Sequence, residues 1–169
     1  MSRGGVLLLA EEGREVFERA GFSVVSATLT GSDPAVIGQL HKLKAQLEAP
    51  RFVVGVGAGG LYARLAACAV LGLSGAVSFG GRLWYPGIDA DHPIQPFDLL
   101  PGLSCPLQCH FAADDADTPQ TWVDELEKRL RAAGRPHQVF RYGHLAGADR
   151  DTAWGRARNF LLHLSADAR

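Results

Sequence analysis

Cysteine is scarce in this chain: Cys68, Cys105 and Cys109 are the only three in 169 residues. So few thiols, irregularly spaced and odd in number, do not make the disulfide framework of a small secreted domain, and at least one stays unpaired. Cys105, Cys109 and His110 sit close in sequence, but adjacent strand residues point to opposite faces and no second ligand pair is present, so neither a metal nor another cofactor is expected. Charge of one sign is lacking as well. Seventeen basic and eighteen acidic residues leave a formal charge of −1, and no long run of either sign appears, which argues against nucleic acid and anionic membranes as partners. No segment approaches the ~18 consecutive apolar residues of a membrane span. The start, Met1 to Gly4, leads straight into a short apolar segment in place of a secretory signal, and a cytoplasmic protein is the expectation. Repeats and low-complexity linkers are also missing. With 47% hydrophobic content, residues 1–169 are expected to form a single domain around one substantial core.

What is present is a regular alternation of strand-like and helix-like segments. Strands are expected at 5–10, 22–29, 52–56, 75–80, 105–112 and 137–142, and helices at 12–20, 34–48, 60–72, 119–133 and 150–164. Such βα steps imply an α/β fold in which a mostly parallel, six-stranded sheet lies between two helical layers. Val6 to Leu9 and Phe52 to Val54 are continuously apolar, as strands buried on both faces should be. Trp122, Leu126 and Leu130 recur at four-residue spacing, as do Trp154, Ala157 and Leu161 within one turn of that pattern, and these are read as core anchors. The one long irregular stretch, Arg82 to Ser104, holds Trp84, Tyr85 and four prolines and reads as a cover or binding loop.

The chemistry-bearing motif is Phe52-Val53-Val54-Gly55-Val56-Gly57-Ala58-Gly59-Gly60-Leu61. A buried strand, a turn of small residues and a helix form the frame on which hydrolases expose a nucleophile. Here the nucleophile position is Gly57, which has no side chain to attack a carbonyl or to be acylated.

This segment resembles the elbow of the dienelactone hydrolase family of α/β-hydrolases, Gly-x-Cys-x-Gly-Gly, through Gly55, Gly59 and Gly60. The resemblance extends to Gly75–Gly81, similar to that family's next strand, and to Cys105–Pro119, similar to its strand and catalytic-acid loop. It implies strand order 2-1-3-4-5-6, places Asp115 at the acid position and Glu11 at the family's glutamate position, and implies hydrolysis of small esters or lactones. The family's Tyr-x-x-x-x-His, counted from Tyr142, falls on Gly147; His144, three residues earlier, is the substitute candidate. The loop after the first strand, which in the family donates an oxyanion-hole amide, is nearly absent. Asp115 and His144 are thus the candidate catalytic pair, with Gly57 vacant, and Glu11, Gly57, Ala58 and Trp84 are the candidate ligand contacts.

Two function classes follow. One is a family member that binds a small carbonyl or carboxylate ligand, or a protein partner, without covalent hydrolysis; self-association is left open. The other is a hydrolase that uses water or a displaced nucleophile. A third reading comes from Gly55-x-Gly57-x-x-Gly60, which satisfies the dinucleotide fingerprint between a strand and a helix. Yet no Asp or Glu lies between Arg51 and Ile88 to hold a ribose, and only Arg82 is there to meet a ribose phosphate. Cys68 and Ser78 are expected to be packing groups, and Asp114, Asp115 and Asp117 to favour the following helix at its N-terminus.

Overall fold

The computed structural model describes all 169 residues. Strands β1 (Gly5–Leu9), β2 (Ser23–Ser26), β3 (Arg51–Val56), β4 (Gly75–Phe79), β5 (Leu107–Ala112) and β6 (His137–Tyr142) form one sheet of order β2-β1-β3-β4-β5-β6, and every pairing is parallel. Helices α1 (Arg14–Arg19) and α6 (Gly147–Asp167) cover one face; α2 (Asp33–Lys44), α3 (Ala58–Ala69) and α5 (Gln120–Ala133) cover the other. Each face has its own apolar core. Phe17, Phe52, Trp154 and Leu161 belong to the first, and Leu7, Val53, Ala66 and Leu126 to the second. β1 is buried throughout, which explains its unbroken apolar run, while β4 and β5 are equally buried yet carry Ser78, Gln108 and His110.

The differences from the sequence expectation lie at the ends of elements. β2 is shorter than 22–29 because it is an edge strand paired only with β1, and that pairing runs from Gly5–Ser23 to Leu8–Ser26. α1 starts at Arg14, since Gly13 takes φ 90° and breaks the helical path. The α5 core stripe is Val123, Leu126 and Leu130; Trp122 lies beside it, half-buried against Trp84. The stretch from Arg82 to Ser104 is not wholly irregular, for it contains a one-turn helix, α4 (Pro96–Leu99), followed by a 3-10 turn.

That stretch is held down at its middle. Tyr85 donates its hydroxyl to the buried Asp33 carboxylate at 2.7 Å, and His92 stacks on the Tyr85 ring while its Nδ1 lies 3.3 Å from the same carboxylate. Burial, with the Asp33 bond second, raises the Tyr85 pKa, so the hydroxyl stays a donor. Arg64, also buried, donates to the Ser78 hydroxyl and to the carbonyls of Gly80, Gly81 and Arg82, fixing the chain as it leaves β4.

A second polar network sits inside the β5–β6 pair. Gln108 gives its amide N–H to Gln138, which leaves its oxygen for His110 Nε2 at 2.7 Å. The ring therefore donates from Nε2 and accepts at Nδ1 from the Tyr142 hydroxyl at 2.9 Å, and that hydroxyl accepts from Arg156. Burial first, and the Arg156 charge second, push the His110 pKa down to about 3. The folded imidazole is neutral, whereas the unfolded one takes up a proton below its ordinary value of 6.5. Stability is thus complete above that value and falls as pH drops toward 3, with a slope of about 1.4 kcal/mol per pH unit inside the window. Denaturant unfolding of the wild type and His110→Gln between neutral pH and mild acid should show this slope in the wild type and its loss in the variant.

Candidate functional site

The carboxyl ends of β1, β3, β4 and β5 meet at one edge of the sheet, where strand order reverses between β1 and β3 and ligands bind in such folds. Gly57 is at this point. Its backbone has φ 62° and ψ −122°, its N–H is held by the Phe79 carbonyl at 2.8 Å, and its own carbonyl accepts from Gly60 and Leu61. The tight strand-to-helix turn expected here is therefore formed and pinned.

The neighbouring glycines are required by close packing. A Cβ on Gly55 would fall on the Gly59 carbonyl, and one on Gly59 on the Leu9 carbonyl. At Gly60 a Cβ would come within 2.7 Å of the Phe79 carbonyl. The first turn of α3 is thus threaded between the ends of β1 and β4 with no room for a side chain at Gly59 or Gly60. Gly57 is different: a Cβ there meets nothing within 4 Å.

Two hollows flank the elbow. The smaller, about 190 Å³, is lined by Gly57, Gly80, Asp115, Leu145, Arg150 and Trp154 among others. The larger groove, about 690 Å³, lies over the ends of β1 and β2, with Glu11, Glu12, Thr28, Ala58, Gly59 and Tyr62 in its wall. An ion pair between Arg150 and Glu12 joins the two walls, while the Arg150 Nε is buried without a partner. The Ala58 and Gly59 amides that open α3 have no acceptor inside the helix, and both residues line the larger groove.

Each sequence-chosen residue has a definite place. Asp115 is half-buried in the smaller hollow; its Oδ1 accepts from the Asp117 amide at 2.9 Å, and its Oδ2 lies 3.2 Å from where a Cβ on Gly80 would stand. His144 does not pair with it. The His144 Nδ1 sits 2.5 Å from Asp114 Oδ2 on the exposed surface, and this bond holds the Asp114 carboxyl below its ordinary range. Leu145 is the residue of that loop that lines the hollow. Glu11 and Ala58 line the larger groove, whereas Trp84 packs at a tilt against Phe97 and Trp122 and lines neither hollow. Its place is set by the packing of the Arg82–Ser104 stretch on α5, which sequence spacing does not reveal.

Glu12, Arg150 and Leu145 went unnoticed in the sequence. Glu12 and Arg150 are far apart in the chain, and only the docking of α6 beside α1 brings them together. The three thiols and the Ser78 hydroxyl are held inside the fold. Burial pushes Cys68 and Cys105 up to about 12 and Cys109 up to about 11, and Ser78 is fully buried and bonded to Arg64.

A model of the dienelactone hydrolase family matches residues 12–149. The chain belongs to the dienelactone hydrolase family. Its fold agrees: a dienelactone-hydrolase-like protein from Klebsiella pneumoniae superposes with a TM-score of 0.75 at 17% identity, covering 96% of this chain and 85% of that one. A Pyrococcus furiosus esterase gives 0.75 at 13% identity, covering 96% and 82%. A lipase-esterase related protein from Clostridium acetobutylicum gives 0.71 at 11%, covering 94% and 95%. No curated protein sequence matches the chain. The glycines that let α3 pack on the strand ends, Gly55, Gly59 and Gly60, lie within the matched segment, and Gly147, the position at which a histidine is expected, opens α6 with φ 55°.

Proposed function

We propose that this dienelactone hydrolase family member holds the carbonyl group of a small molecule at the Gly57 elbow without hydrolysing it through a covalent intermediate. The observation that carries this reading is the empty space at Gly57, in an elbow whose other glycines, Gly55, Gly59 and Gly60, are packed against backbone. The turn, the hollow and the first amides of α3 are kept, and the reacting side chain is not. Amides at a helix N-terminus suit a carbonyl oxygen, which they meet with fixed donors and a positive dipole end. The imidazole that would activate a nucleophile or water is turned out to Asp114, and an acid without its histidine does no acyl transfer. Close packing accounts for Gly55, Gly59 and Gly60, which favours this reading over a phosphate cradle.

The test is titration with γ-butyrolactone, followed by the amide resonances of Ala58 and Gly59. A saturable shift of those two amides, abolished in Gly57→Leu, whose side chain would occupy the space, is the expected result. Absence of the shift in the wild type, or its persistence in Gly57→Leu, contradicts the proposal. A second reading rests on one observation: Asp115 shares the smaller hollow with Gly57 and is placed to act on a water there. It calls for turnover that depends on Asp115.

A further inference from the structure

The larger groove beside the elbow carries charge of only one sign. Glu11 and Glu12 are the charged groups in its wall, and no cationic side chain lines it. Arg150 lies beyond Glu12 in the smaller hollow, already paired to it, and Asp115 stands there too. Arg14 borders the outer end of the groove near Glu11, but it is engaged by Glu18 at 2.6 Å. Glu11 has no ion-pair partner and is exposed. On the opposite wall the Tyr62 hydroxyl is raised in pKa, by burial first and by the Asp33 charge second, so it too stays a neutral donor under a negative field. The rest of the wall is apolar: Leu9, Ala27, Leu29 and Val56.

A ligand whose carbonyl meets the Ala58 and Gly59 amides runs its tail into this groove, because both residues line the larger groove and neither lines the smaller hollow. The tail then passes apolar walls and ends near an unpaired carboxylate. We infer that the ligand is a small carbonyl compound with a short aliphatic tail ending in an ammonium group, and that Glu11 selects it over one ending in a carboxylate. This inference rests on the carbonyl-binding reading above and sharpens it. A carboxylate-ended tail would meet Glu11 with no free cation to offset it, so the groove discriminates by repulsion as well as attraction.

Three primary amides with the same four-methylene spacer test it: ω-aminopentanamide, hexanamide and adipamate, titrated against the wild type and Glu11→Gln with the Ala58 and Gly59 amides as reporters. Glu11 is exposed and has no ion-pair partner, so its replacement leaves the fold intact. In the wild type, ω-aminopentanamide should bind about three- to fivefold tighter than hexanamide, as an exposed ion pair allows, and adipamate more weakly than either. The order should flatten at high ionic strength and in Glu11→Gln. Hexanamide binding that matches or exceeds ω-aminopentanamide, or an ammonium preference that survives Glu11→Gln, overturns the charge selection while leaving carbonyl binding standing. If none of the three amides moves either reporter, both readings fall together.

Discussion

Gly57→Cys combined with Leu145→His is expected to hydrolyse para-nitrophenyl acetate about a hundredfold or more faster than Gly57→Cys alone. The single variant restores a nucleophile in the conformation where such residues sit, with open space for its side chain, at a backbone strain of about 1–3 kcal/mol. It lacks a base. His144 is bonded to Asp114 outside the hollow, so a thiol at position 57 should react with small alkylating reagents yet turn over no ester beyond the background of a free thiol. Leu145 lines the same hollow as Gly57 and Asp115. An imidazole there can take the thiol proton and be oriented by Asp115, and general base assistance of this kind contributes ~10²–10⁴-fold. Steady-state rates of the single and double variants, each with and without Asp115→Asn, check the assignment. Equal rates in the single and double variants would show that Asp115 and position 145 do not form the expected pair.

The second large effect is on stability. Gly59→Ala should destabilise the protein by roughly 3 kcal/mol or more, at or above the upper part of the range for overpacked sites, because the new methyl meets a main-chain carbonyl of β1 that cannot rotate away. That is a large share of the ~5–15 kcal/mol typical of a domain. Gly57→Ala meets no atom within 4 Å and should cost only the strain of its positive φ, about 1–3 kcal/mol. Urea unfolding of the two variants separates them. Similar losses would mean that the packing of α3 on β1 and β4 is not what distinguishes these glycines.

This contrast also shows how much was legible in the sequence. Continuous apolar runs such as Val6–Leu9 announce strands buried on both faces, and their alternation with helical segments leads to the parallel sheet that the structure shows. The elbow was legible because a strand, a glycine turn and a helix in immediate succession have few other uses. Sequence could not show that Gly59 and Gly60 are enforced by carbonyls of β1 and β4 while Gly57 is free, since these contacts join segments far apart in the chain. The same limit applies to His144. Asp114, Asp115 and Asp117 offer three carboxylates in one short loop, and the turn of the chain decides which one the imidazole meets. His110 shows the limit for a buried residue, for its Gln108, Tyr142 and Arg156 partners come from two strands and a helix.

The most direct test of the central claim is hydrolysis of para-nitrophenyl acetate and a small unsaturated lactone by the purified wild type, with Asp115→Asn beside it and intact mass recorded during the reaction. The account predicts no turnover above solvent background, no difference between the two proteins and no acylated species. Wild-type turnover that is lost in Asp115→Asn would contradict it and establish an active hydrolase that works without a side-chain nucleophile at the elbow.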